Sequence, residues 1–247
     1  MMHILADSYW FTVLAAIAAG AVASISGFGI GSILTPLLAT WLGTKLAVAV
    51  VAVPHFLGTA LRFWLIREHV DRRVLLSFGV TSAIGGLTGA LLHIWLRSAI
   101  LGYVLAALLV FAGIMGLTGM AEGMRFGRMT AWVAGALSGI FGGLVGNQGG
   151  IRSAALLGFN VQRDAFVATA TAIALLVDVF RMPVYAATQW HPILSVWPLM
   201  AVTTVGVIAG TLIGKRILGW IPERTFRFLI AGVVLVLGIW MFMHPGA

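Results

Sequence analysis

Four charged residues stand inside stretches that are otherwise apolar: Arg62, Arg152, Asp178 and Arg181. A charge in the middle of a hydrocarbon-like segment costs about 2.5–3.5 kcal/mol on insertion scales, so each needs a partner or a purpose. Arg152 follows Gly149-Gly150 and is preceded by Asn147 and Gln148 and followed by Ser153. That run offers a guanidinium fork, amides, a hydroxyl and the free N–H groups of a helix start. Together these suit a small anion with several oxygens. The competing reading is that Arg152 caps carbonyls or pairs with an acid elsewhere. Asp178 and Arg181 are three apart, which puts both on one helical face. They read as a structural ion pair or as a carboxylate coupled to proton movement. Arg62, four residues from the end of its segment, reads as snorkelling to headgroups or as an entry residue of an anion path. His55 follows Pro54, which is expected to kink its helix, and serves as a packed histidine or a proton relay. Ser24, Ser26, Ser32 and Thr35 supply hydroxyls to the same region or bond back to their own helix.

The elements that must carry these groups are membrane helices. The 247 residues are 61% apolar and 9% charged, with a mean hydropathy of +1.07. Soluble domains are near 25% charged, so the solvent for this chain is a bilayer. The net charge of +8 reflects cytoplasmic loops, not nucleic acid, since no basic run occurs. Without cysteine, thiolate metal sites and thiol nucleophiles are excluded. No metalloprotease, phosphate-loop or dinucleotide motif is present, and a single intramembrane acid does not make an aspartyl protease, so the chain reads as no enzyme, with no cofactor and no metal. The first ten residues hold Asp7 and no Lys or Arg, which argues against a cleaved signal peptide.

Apolar segments fall near 9–41, 46–66, 74–96, 99–120, 130–159, 165–189, 193–214 and 225–243, most with a tryptophan near an end. Two are too long for a straight crossing of a ~30 Å core, and each is interrupted by glycines. The first break reads Ser26-Gly27-Phe28-Gly29-Ile30-Gly31-Ser32 and the second Gly142-Gly143-Leu144-Val145-Gly146-Asn147-Gln148-Gly149-Gly150. At an offset of 119, Gly20, Gly27, Gly31 and Arg62 fall on Gly139, Gly146, Gly150 and Arg181. Later, Gly85 and Gly89 fall on Gly206 and Gly210. These glycines are candidates for close helix packing. The chain thus reads as one transmembrane domain, 1–247, with repeats of about 8–120 and 127–243.

Eight full crossings would spread basic residues almost evenly over both sides. If the broken segments instead return to their starting side, Arg67, Arg72, Arg73, Arg125, Arg128, Arg163, Lys215, Arg216, Arg224 and Arg227 share one face, against Lys45 and Arg97 on the other. The positive-inside rule prefers the second arrangement and makes loops 67–73, 121–129, 160–164 and 215–227 cytoplasmic. The expected fold is all-α and polytopic, with two inverted repeats, each a re-entrant hairpin plus three transmembrane helices. That architecture is common in secondary transporters.

The two breaks also carry a resemblance. Gly27, Gly29 and Gly31 followed by Pro36 and Leu38, and Gly146, Gln148, Gly149 and Gly150 followed by Ala155 and Leu157, resemble the paired glycine-rich motif of the TauE/SafE family of membrane transporters. The stretch Phe166-Val167-Ala168-Thr169-Ala170-Thr171 is similar to the family's next segment. Ile30, Gln148 and Ala155 depart from the pattern, and the second break is more polar than the general motif. The resemblance implies transport of a small sulfur-containing oxyanion such as sulfite, a sulfonate or sulfoacetate. The expected ligands are Arg152, Asn147, Gln148, Ser153, Gly149, Gly150, Gly29, Gly31 and Ser32. Gating or proton coupling falls to Asp178, Arg181, Arg62 and His55. The expected partners are the anion, membrane lipids and, as an open reading, a second copy of the chain, in a bacterial inner membrane. The alternatives are an accessory subunit that moves nothing, and an anion channel.

Overall fold

The computed structural model describes residues 2–120, 128–157, 159, 162–218 and 222–246. Its helices are α1 (Met2–Ser26), α2 (Ile30–Ile66), a short α3 (Arg72–Val74) that passes through a π turn (Leu75–Gly79) into α4 (Val80–Trp95), α5 (Ser98–Thr118), α6 (Arg128–Val145), α7 (Gly149–Leu157), α8 (Arg163–Ser195), α9 (Trp197–Leu218) and α10 (Glu223–Met243). No strand occurs among the described residues. Among the described residues, six stretches are long and apolar enough to cross a membrane: Ile30–His69, Arg72–Trp95, Ser98–Thr118, Asp164–Ser195, Trp197–Gly214 and Arg224–Met243. Two apolar helices are shorter, Trp10–Ser26 and Met129–Val145, and these are the two that run into the glycine breaks.

The breaks are made by backbone that side chains disfavour. Gly27 has φ 77° and Gly146, its match at an offset of 119, has φ 71°. A Cβ is penalised in that left-handed region, and glycine is not. A third positive-φ glycine, Gly43 (φ 72°), divides α2 into two helical parts. Helical dihedrals inside α2 fail only there, and Pro36 and Pro54 keep them.

Small residues let three helix pairs form among the described residues. Gly20 of α1 abuts the Val207 carbonyl of α9, and Gly210 of α9 abuts Ile17. Likewise Gly89 of α4 abuts the Ile140 carbonyl of α6, and Gly139 of α6 abuts Ser82. No side chain larger than hydrogen fits between backbones this close. Ala16 meets Gly206 and Ala21 meets Gly214, so α1 and α9 run in the same direction. Phe78 meets Gly135 and Gly86 meets Gly143, so α4 and α6 do too. Gly102 lies at Pro245 and Gly113 at Leu235, so α5 and α10 are antiparallel. The second part of α2 crosses α8 antiparallel, His55 reaching Asp178 and Arg62 reaching Thr171.

These directions gather chain ends. Arg67, Arg72, Arg73, Arg216, Arg224 and Arg227 sit at one end of the bundle, and Lys45 and Arg97 at the other. Lys45 Nζ bonds the carbonyls of Ile94 (2.6 Å) and Leu96 (3.1 Å), which satisfies the carbonyl end of α4. The expected cytoplasmic loop positions 121–127, 160–161 and 219–221 lie outside the described residues.

The outer surface is apolar. Leu76, Ile84, Val205, Val236 and Phe228 are exposed, as are Trp10, Trp64 and Trp95. The interior holds Leu34, Leu38, Leu101, Leu105 and Leu109, together with an unusual set of buried polar groups. Polar groups inside and apolar groups outside is the distribution a lipid solvent selects.

Candidate functional site at the two glycine breaks

The two breaks touch. Gly31 lies against the Gly146 carbonyl, and Ser32 Oγ donates to Asn147 Oδ1 at 3.2 Å. Phe28 packs on Gly149. Of the nine expected ligand residues, Gly31, Ser32, Asn147, Gly149 and Arg152 therefore meet across the breaks. Gly29 packs on Val22 of α1, and Gly150 packs on Ala112 of α5.

Arg152 is 1% exposed. Its Nη2 donates to the Gly27 carbonyl at 3.1 Å, while Nε and Nη1 have no protein partner. Three more buried polar atoms of the same helix start are unpartnered: Asn147 Nδ2, Gln148 Oε1 and Ser153 Oγ. An orphaned buried polar group costs about 1–3 kcal/mol, and more when charged. Native interiors hold few of them, so a cluster in one place calls for a ligand or water. The set is dominated by donors: two guanidinium N–H positions, an amide and a hydroxyl.

A second cluster lies where α2 crosses α8. Asp178 is fully buried, and its Oδ2 accepts from His55 Nδ1 at 2.6 Å. Its Oδ1 accepts from Arg181 Nε at 2.8 Å and lies 2.7 Å from Nη2. Arg181 Nη1 also donates to the Gly142 carbonyl at 2.8 Å, which fastens the end of α6. Tyr185 donates its hydroxyl to the next carbonyl, Gly143.

Arg62 does not snorkel. It is 3% exposed and its fork turns inward. Nε donates to Thr171 Oγ1 at 2.8 Å, Nη1 to the Ala23 carbonyl and Nη2 to the Gly27 carbonyl at 3.5 Å. The free carbonyls at the end of α1 give the guanidinium a better partner than distant headgroups. Ser24 and Ser26 bond back to the carbonyls of Ala21 and Val22.

Sequence reasoning passed over one buried network. His93 is fully buried, its Nδ1 donating to the Leu144 carbonyl at 2.7 Å and its Nε2 3.1 Å from Gln189 Nε2. The signal was there in spacing. Asp178, Arg181, Tyr185 and Gln189 recur at helical intervals down one face of α8, and Gly85, Gly89 and His93 do so on α4.

Beside the site lies a cavity of about 330 Å³ between α5, α7, α10 and the first break. Phe28, Phe166, Met115 and Ile230 give it apolar walls, Ser153 borders it, and Arg227 of the basic end borders it too.

A model of the family described as sulfite exporter TauE/SafE matches residues 12–241. No curated protein matches, and no solved structure matches.

Proposed function

This chain belongs to the TauE/SafE sulfite exporter family, membrane transporters rather than enzymes, and from that premise we propose that it carries a small sulfur-containing oxyanion, a sulfite or sulfonate, by alternating access. The observation that carries the proposal is Arg152, which is buried beside break one with two nitrogens unpartnered. A guanidinium can bond two oxygens of one anion at once. Asn147, Gln148, Ser153 and Ser32 complete the grip, and the N–H groups at the start of α7 add to it. The cavity lined by Ser153 and Arg227 serves as the path from the basic end.

The helix pairings support a two-repeat reading. Exchanging the halves turns the α1–α9 pair into the α6–α4 pair, and it returns the α2–α8 and α5–α10 pairs to themselves. The directions reverse, as inverted repeats require. Each half then contributes a hairpin that enters from its own side, and the two tips meet. The basic end faces the cytoplasm of a bacterial cell. The Asp178–His55–Arg181 cluster gates or couples the movement, since it joins α2 to the tip of the second hairpin.

The test is a thermal-shift series on detergent-purified protein with sulfite, sulfate, sulfoacetate, isethionate, acetate and chloride, run beside Arg152→Ala. A ligand that binds only the folded state raises its melting temperature. A rise with a sulfur oxyanion, absent in Arg152→Ala, is expected. No rise with any anion, or the same rise in both proteins, would overturn the assignment of Arg152.

A further inference from the structure

The buried charges at the breaks do not balance. Among the described residues, the interior holds three guanidiniums, Arg62, Arg152 and Arg181, and one carboxylate, Asp178. Asp178 is committed to Arg181 and His55. Arg62 and Arg152 bond only neutral groups: the Thr171 hydroxyl and the carbonyls of Ala23 and Gly27. Their Nη2 atoms converge on one oxygen, that of Gly27, at 3.5 and 3.1 Å. Two like charges are thus held together away from water, a costly arrangement unless something neutralises it.

The asymmetry between the halves sharpens this. Arg62 and Arg181 correspond at the offset of 119, and so do the carbonyls they hold, Ala23 and Gly142. Three residues before Arg181 stands Asp178. Three residues before Arg62 stands Thr59, whose buried hydroxyl has no partner. The same latch therefore carries its own counter-charge in one half and none in the other. Helix ends do not close the gap. The end of α1 brings about half a negative charge, and the start of α7 returns about half a positive one.

Resting on the proposal that Arg152 holds the anion, we infer that the anion carried is doubly charged, and that Arg62 is the residue that sets this preference. A monoanion would leave one buried guanidinium uncompensated, whereas a dianion balances both. Arg62 acts through its charge, its nitrogens being held by Thr171, Ala23 and Gly27, while Arg152 makes the contact.

Sulfoacetate, isethionate and taurine share a two-carbon sulfonate frame and are, near neutrality, a dianion, a monoanion and a zwitterion of no net charge. Their affinities for the purified, unaltered protein are to be measured by calorimetry. Sulfoacetate is expected to bind about tenfold or more tighter than isethionate, with taurine weakest. In Arg62→Gln the ratio of the first two affinities should fall towards one, and in Arg62→Lys, which keeps the charge, it should persist. Equal binding of sulfoacetate and isethionate by the unaltered protein would overturn the inference and leave the anion site standing. Binding of none of the three would overturn the site itself. The unaltered chain decides the charge of the anion even if Arg62→Gln fails to fold; an unchanged ratio in a folded Arg62→Gln, or its loss in Arg62→Lys, would overturn the role of Arg62.

Discussion

Arg152 Nη2 donates to the carbonyl oxygen of Gly27 at 3.1 Å across 125 residues of chain. One bond thus ties the start of α7, just past the second break, to the end of α1. The tie spends one of the fork's nitrogens and leaves Nε and Nη1 without protein partners. A guanidinium placed only to fasten the two breaks would have more of its donors satisfied by protein. The remaining donors are what the proposed anion would take.

The Asp178 cluster, proposed above to gate or couple the movement, also bears on stability. Replacing Asp178 by Asn removes the negative charge that Arg181 and His55 share and turns one of its two acceptor oxygens into a donor, leaving a buried guanidinium without a counter-charge. Breaking a buried pair in this way costs about 3–5 kcal/mol. Unfolding of the detergent-solubilised protein should shift accordingly. The double variant Asp178→Asn, Arg181→Met should lose less than the sum of the single variants, as a double-mutant cycle would read. Additive losses would contradict the pairing.

Gly89 and Gly210 each face a backbone carbonyl of the neighbouring helix, those of Ile140 and Ile17. Valine at either should separate its helix pair and destabilise by about 1–3 kcal/mol or more, as overpacking does. Gly232 of α10 has nothing within 4 Å of the position of a Cβ. Gly232→Ala should be neutral or stabilise by up to about 1 kcal/mol, since alanine is the better helix former. Melting curves of the three variants check this. Equal effects at all three sites would contradict the helix pairings.

The absence of cysteine makes topology directly measurable. Single cysteines at Glu68 and Arg224 should react with a membrane-impermeant thiol reagent from the cytoplasmic side only. Cysteines at Arg97 and His191 should react only from the other side. All four positions are exposed. Eight full crossings would put positions 68 and 224 on opposite sides, so the pattern separates the two topologies.

Much of the fold was readable because lipid imposes a simple rule on composition. The apolar segments, their breaks at Gly27 and Gly146, and the glycine pairs at 85, 89, 206 and 210 all follow from spacing. The Asp178–Arg181 pair was readable because it is local, an i, i+3 relation on one helix. His55 as the second partner of Asp178 was not, since it lies 123 residues away and only the crossing of α2 and α8 unites them. Arg62 misled for a related reason. Its position near a segment end suggests headgroups, but the end of α1 brings carbonyls to it that no local pattern announces. The turn at Gly43 was hidden by Pro36 and Pro54, stronger local breakers that α2 absorbs within helical dihedrals.

The proposed transport rests on Arg152 holding the anion that the protein carries across a membrane. It is tested most directly by flux of radiolabelled sulfite and sulfoacetate into liposomes containing the purified protein, with Arg152→Ala reconstituted alongside and its folding checked by melting temperature. Saturable, gradient-driven uptake by the unaltered protein and its loss in a folded Arg152→Ala variant are expected. Equal uptake by the two proteins, or no uptake of either anion in any imposed gradient, would contradict it.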